Sequence, residues 1–315
     1  MTAQPAPVFT LDVGKRVAHW GKGYAWNPIA FADRPKDPND PQLAQEGFVM
    51  ARAVAVKSFS GPLKTLELTL IDLPVRKDVN DDFGPKVADN AAAKLYALLW
   101  DTDIDLAVLS GGTRSWRYGA DFARNITSNF EIHCEWATTT DATHPVVDAS
   151  GVVTQRTRAV QSWLAGVRYL TESELTAILE YYSNGAGYSA DELKDFYRFV
   201  DDASARFKKK GQTTALDKAN EFAQGAYLQP TPGRTYGYLR VSQQEPFGWL
   251  YVTPALTVIQ NLQDGSYSAI PELTYIGVTN LEVRARLGWL SGGRFTDFGE
   301  RPNLTRAELR VKYAF

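Results

Sequence analysis

From Ala307 to Phe315 every second residue is apolar (Ala307, Leu309, Val311, Tyr313, Phe315), and the residues between them are Glu308, Arg310, Lys312 and Ala314. Successive side chains of a β-strand point to opposite faces, so an extended chain here has one greasy face and one charged face. A helix would scatter both sets around its axis. The preceding segment repeats the scheme, with Leu281, Val283, Ala285, Leu287 and Trp289 on one side and Glu282, Arg284 and Arg286 on the other. In a soluble sandwich the charged side faces bulk water; in a membrane barrel it lines the lumen.

The same period of two recurs at residues 9–17, 63–73, 103–110, 116–125, 130–136, 163–170, 174–182 and 266–275, and less clearly at 47–59, 94–100, 235–242 and 248–260. With the two C-terminal segments these make about fourteen strands, an even number as in single-chain bacterial barrels. Counted from a periplasmic N-terminus, the connections on the inner side are tight: 60–62, 101–102, 126–129, 171–172, 243–247 and 276–279. Those on the other side are long: 18–46, 74–93, 137–161, 183–234 and 291–303. Short turns at one end and long loops at the other are the habit of outer-membrane barrels. The expected architecture is therefore all-β, a single membrane-spanning antiparallel up-and-down barrel over 1–315, with a helical extracellular loop at 184–234.

Composition excludes several alternatives. The 34 Lys and Arg balance 36 Asp and Glu for a net charge of −2, without a basic block suited to nucleic acid. Cys134 is the single cysteine, so no internal disulfide or cysteine-based zinc cluster exists, and it reads as a small apolar strand residue. No apolar run reaches the roughly 18 residues of a membrane helix. A mean hydropathy of −0.29 does not argue against a barrel, because half of each strand faces water. The opening Met1 to Pro7 lacks a basic segment followed by an apolar one, and reads as a mature N-terminus behind an initiator Met or as a truncated gene. Six of the eight tryptophans, Trp100, Trp116, Trp136, Trp163, Trp249 and Trp289, fall at the ends of these segments, where indole rings suit the headgroup level; ordinary core tryptophan is the alternative.

The run Leu309-x-Val311-x-Tyr313-x-Phe315 resembles the C-terminal assembly signal of Gram-negative outer-membrane proteins. Gly14-Lys15-Arg16, Trp20-Gly21, Asn27-Pro28 and Asp37-Pro38 resemble an element of porin-like outer-membrane barrels, a group of poorly assigned function. The resemblance implies a barrel in the bacterial outer membrane, with lipid, lipopolysaccharide and the barrel-assembly machinery as partners. It implies no substrate.

Residues suited to catalysis are sparse. His19, His133 and His144 are far apart, and neither a nucleophile elbow nor a metalloprotease motif is present. His133 lies between Glu131 and Glu135 on a polar face, where a general base is conceivable and a hydrated lumen histidine is the plainer reading. Asp37 and Asp40 sit in a proline-rich stretch that reads as turn punctuation rather than a calcium site. The expectation is no enzyme, no cofactor and no metal.

In the longest loop, Ser189 and Glu192 have capping-box spacing, and Leu193, Phe196, Tyr197, Val200, Ala203 and Phe207 follow at helical intervals up to Lys208-Lys209-Lys210-Gly211. A second short helix is expected near 215–223, either paired with the first as a hairpin or lying over the barrel mouth as a lid. Arg284, Arg286, Arg310 and Lys312 lie on the last two strands, with Arg16 on the first. Glu131, Glu135, Glu174 and Glu180 lie near the middle of the chain. These residues either line a pore as facing basic and acidic walls that filter solutes, or pair with neighbours in a filled interior. The function expected is a channel for small hydrophilic solutes; the alternative is a non-conducting barrel serving structure, export or partner binding.

Overall fold

The computed structural model describes residues 2–227 and 229–314, apart from the side chain of Ala226. Fifteen antiparallel strands follow one another in sequence order within one hydrogen-bonded sheet, an up-and-down arrangement. The count is one above the expected fourteen. The additional strand is β1 (Thr2–Ala6), which pairs with β2 (Phe9–Arg16) through Thr2 opposite Asp12 and Ala6 opposite Phe9. Pro5, which cannot donate to a ladder, falls where that register is irregular, between Ala3 and Ala6, and so is accommodated. With β1 in place, Thr2 lies at the long-loop end of the sheet rather than at the short-turn end from which the strands were counted.

The chain divides into two compact units, Met1–Ala142 with Arg158–Val167 and Thr143–Thr157 with Arg168–Phe315. The first contains β1, β2, β3 (Phe48–Ser58), β4 (Leu63–Val75), β5 (Ala88–Leu99), β6 (Thr102–Leu109) and β7 (Arg117–Thr127). It also holds most of β8 (Phe130–Val147) and part of β9 (Val153–Leu170). The second contains β10 (Leu175–Ser183), β11 (Thr235–Gln243), β12 (Val252–Asn261), β13 (Tyr267–Val278), β14 (Leu281–Ser291) and β15 (Thr305–Tyr313).

The connection expected over 137–161 is mostly strand. β8 and β9 each run for 18 residues and meet at a turn over 148–152. Thr138, Thr139, Thr140, Thr143, Val146 and Val147 are β-branched, which favours extended backbone even where the apolar alternation lapses. Asp148 closes the turn by accepting the N–H groups of Ser150 and Val152, each at 2.9 Å.

The loop after β10 carries α1 (Ala190–Lys210) and α2 (Thr214–Phe222). Ser189 accepts the Glu192 N–H while the Glu192 carboxylate accepts the Ser189 N–H, so both ends of the capping box are made. Gly211 ends α1 in the left-handed conformation. Leu193, Phe196 and Phe199 of α1 and Ala219 of α2 are buried with Val146, Val147, Tyr188 and Tyr227. The helices therefore pack on each other and also on the tip of the β8–β9 hairpin.

The two faces of the sheet are inverted relative to a soluble protein. Large apolar residues such as Leu68, Leu70, Leu106, Leu179, Leu256, Leu287 and Trp289 are exposed, whereas Asp12, Asp105, Asp121, Glu135, Glu180, Arg240, Glu272 and Arg284 are buried.

Candidate functional site

In the first unit the connection 17–47 folds onto the buried, polar face of the sheet. Trp20, Ile29, Phe31 and Ala32 from that connection share a core with Phe48, Met50, Ile71, Leu73, Phe83 and Leu109. Phe48 and Met50 lie on the opposite face of β3 from exposed Val49, and Ile71 and Leu73 on the opposite face of β4 from exposed Leu70. The connection was expected as an extracellular loop; its apolar Trp20, Trp26, Ile29 and Phe31 were the signal that it would seek cover.

Glu135 of β8 receives it. One oxygen, Oε1, accepts the N–H of Lys22 at 2.7 Å, the N–H of Gly23 at 2.6 Å and Asn27 Nδ2 at 2.9 Å. The other accepts the N–H of Ile29 at 3.2 Å. A fully buried carboxylate is costly unless its lone pairs are filled, and these donors fill them. Gly21 makes the wrap possible: its φ is +98°, and a Cβ there would stand 2.8 Å from Glu135 Oε1. Within the connection, Asp33 accepts the N–H groups of Ala18 at 2.6 Å and Trp20 at 3.1 Å, and Lys36 donates to the carbonyls of Gly23 and Tyr24.

Beside Glu135 the acids form a row, with Asp105 opposite Asp121 across β6 and β7 and Asp121 opposite Glu135 across β7 and β8. Like charges directly opposite one another destabilise a sheet. Lys22, carried in by the connection, stands 2.9 Å from Asp105, and Lys94 of β5 stands 3.4 Å from it. The connection thus supplies both N–H donors and a cation to a wall that lacks enough of its own.

In the second unit the ionic centre is Glu272 of β13. Arg240 of β11 donates to it at 2.9 Å, and Arg286 and Arg284 of β14 lie at 3.1 and 3.7 Å. Arg240 also donates to Thr257 at 2.9 Å. Glu308 of β15, opposite Arg286 in register, pairs with Arg310 at 2.7 Å and Arg306 at 3.3 Å.

Of the residues expected to line a pore, Arg284, Arg286 and Arg310 thus stand on one face with acidic partners, and Lys312 lies opposite Glu282. Arg16, in the first unit, lies 3.9 Å from Asp12 and donates to Thr2. Glu180 is buried on β10, whereas Glu174 is exposed in the turn before that strand, at φ +61°. Glu131 stands 3.5 Å from His133 Nδ1. Asp105, Asp121, Lys22, Lys94, Arg240 and Glu272 were not singled out beforehand, although most occupy the polar parity of strands whose outline was read. Leu309, Val311 and Tyr313 project from β15 and are strongly exposed; Phe315 lies outside the described residues. Among the described residues no group of three or more His, Cys, Asp or Glu is arranged to hold a metal.

No protein-family model and no curated protein matches the sequence. Solved structures do match. OccK11 (OpdR) of Pseudomonas aeruginosa aligns over 97% of this chain and 76% of its own, at 13% identity and a TM-score of 0.54. OccAB1 of Acinetobacter baumannii aligns over 96% and 73%, at 12% identity and a TM-score of 0.55. Wzi of Escherichia coli, an outer-membrane protein involved in group 1 capsule assembly and a carbohydrate-binding β-barrel, aligns over 97% and 66%, at 8% identity and a TM-score of 0.52. At such identities the likeness is one of fold, and that fold is the one used by bacterial outer-membrane β-barrel proteins.

Proposed function

We propose that this chain is an outer-membrane channel for small hydrophilic solutes. One observation carries the reading: the sheet hides its ion pairs and exposes its leucines. Exposed Leu, Val and Trp in long strands are unfavourable in water and favourable in hydrocarbon. On this reading the exposed face lies against outer-membrane lipid and lipopolysaccharide, and the strand containing Leu309, Val311 and Tyr313 is recognised by the barrel-assembly machinery. The cluster of Arg240, Arg284 and Arg286 about Glu272 sets charged groups on the polar face, where passing solutes would meet them. The chain acts by passage or binding, not by catalysis.

A second reading, a non-conducting barrel for structure, polymer export or partner binding, has its own support. The connection 17–47 fills part of the polar face with a packed apolar core, and one of the similar structures is a carbohydrate-binding barrel. Conductance of the purified, heat-modifiable protein in a planar bilayer separates the two. Discrete current steps are expected from a channel. A folded protein that stays silent, even with residues 18–46 replaced by a short linker, would move the assignment to the second reading.

A further inference from the structure

The turn between β11 and β12, residues 244–251, differs from the other connections at its end of the sheet. Those are two to four residues long and mostly polar, such as Ser128-Asn129 and Thr279-Asn280, although Trp100 stands exposed in the turn Trp100-Asp101. This one reads Gln-Glu-Pro-Phe-Gly-Trp-Leu-Tyr. Phe247 is 93% exposed, and Trp249, Leu250 and Tyr251 are each more than half exposed. Phe247 holds φ +58° and Tyr251 φ +64°, the left-handed region that bulky L-residues avoid. A ring left almost wholly uncovered gains little from packing within the chain to offset that conformation.

We infer that this turn is a membrane anchor, seated in the headgroup region of the leaflet at the short-turn end. The inference rests on the outer-membrane reading above and extends it to a part of the chain beyond the strands. The turn continues the exposed apolar face: Val252 lies opposite Tyr275 and Pro254 opposite Leu273, and the N–H of Ile276 donates to the Tyr251 carbonyl at 3.0 Å. Its backbone is prepared for a place with little water. The N–H groups of Glu245, Gly248, Trp249 and Val252 all donate to carbonyls of the same hairpin. The turn's one carboxylate, Glu245, is folded back to accept the Tyr251 N–H at 2.8 Å. Phe, Trp and Tyr together on one turn match a boundary that is apolar on one side and wet on the other. A water-soluble protein partner would have no need of this backbone closure or of continuity with the apolar face.

The test places an environment-sensitive fluorophore on Phe247→Cys, or on Leu250→Cys, in a Cys134→Ser background. Leu287→Cys, in the middle of the exposed face, is the reference. The folded proteins are reconstituted in phosphatidylethanolamine and phosphatidylglycerol vesicles carrying a spin label either high on the acyl chain or near its end. The labels at 247 and 250 should lose most of their emission to the shallow spin label and resist aqueous iodide, while the label at 287 responds best to the deep one. If the label at 287 is quenched by lipid but those at 247 and 250 are quenched only by iodide, the turn lies in water and the anchor is refuted while the membrane reading stands. If the label at 287 is not quenched by lipid either, the membrane reading fails and the anchor with it.

Discussion

The carboxylate of Glu135 accepts the backbone N–H of Gly23 at 2.6 Å across 112 residues of sequence. That bond and its neighbours convert a surface connection into a filling for the polar face. Glu135→Ala should release it, because each buried donor left without an acceptor costs about 1–3 kcal/mol. Trypsin should then cut at Lys22 and Lys36 under conditions where the wild type is intact, with the strands still resistant. Equal protection in the variant would show that the apolar core alone holds the connection in place.

Glu272 has the opposite role, an acid that faces the guanidinium groups of Arg240, Arg284 and Arg286. Glu272→Gln removes a countercharge that three buried arginines share, and removing one partner of a buried ionic group costs about 3–5 kcal/mol. A clearly lower heat-modification temperature in detergent is expected. A substitution at exposed Glu174, in a turn, should leave that temperature unchanged.

Charge on the polar face should also appear in permeation. A pair of unit charges at 4 Å interacts by about 1 kcal/mol in bulk water and several-fold more at an effective dielectric near 20. Replacing Arg284, Arg286 and Arg310 together with Gln should shift reversal potentials toward cations. Replacing Glu131 and Glu180 with Gln should shift them toward anions. Both shifts should shrink as salt rises from 0.1 to 1 M, where the screening length falls from about 10 to about 3 Å. Selectivity that ignores both sets of substitutions would remove these residues from the conduction path.

The docking of α1 should depend on pH in a defined direction. Burial raises the carboxyl of Glu192, but the Ser189 N–H, Arg234 and Arg156 outweigh it and hold the group below its ordinary value of 4.5. A depressed folded value stabilises at pH above the unfolded one and loses its contribution as pH falls through the folded one. Amide protection factors in residues 190–210, taken relative to intrinsic exchange at each pH, should therefore be steady above about pH 4.5 and fall below it. Glu192→Gln should remove most of that pH dependence.

The strands of the second unit were legible because alternation there is nearly unbroken: in 281–289 each even residue lands on the face of Arg284 and each odd one on the face of Leu287. β1 was not, because Gln4, Pro5 and Pro7 carry turn chemistry and the ladder tolerates Pro5 only at its irregular point. The upper halves of β8 and β9 were hidden for a different reason. Their extended form is secured by threonine and valine and by packing against helices more than 40 residues further on, which a local period cannot report. Glu135 was singled out as a wall charge. Its use as an acceptor depends on a connection that begins over 100 residues earlier, a pairing that no spacing rule contains.

The packing of α1 and α2 on the hairpin tip has a consequence in time. On the outer-membrane reading a strand needs only about 9–11 residues to cross, so the 18-residue strands β8 and β9 would carry their tip well past the bilayer. If the chain enters from the short-turn side, everything that packs at that tip arrives there by translocation. A finished knob with Glu192 paired to Arg234 and Asp297 to Arg301 is too wide and too polar to be drawn through lipid. The helices must therefore be threaded as loose chain and close around Tyr188 and Tyr227 only on arrival. On that reading biogenesis would have two clocks: strand zippering first, and a later compaction on the far side that the first makes possible.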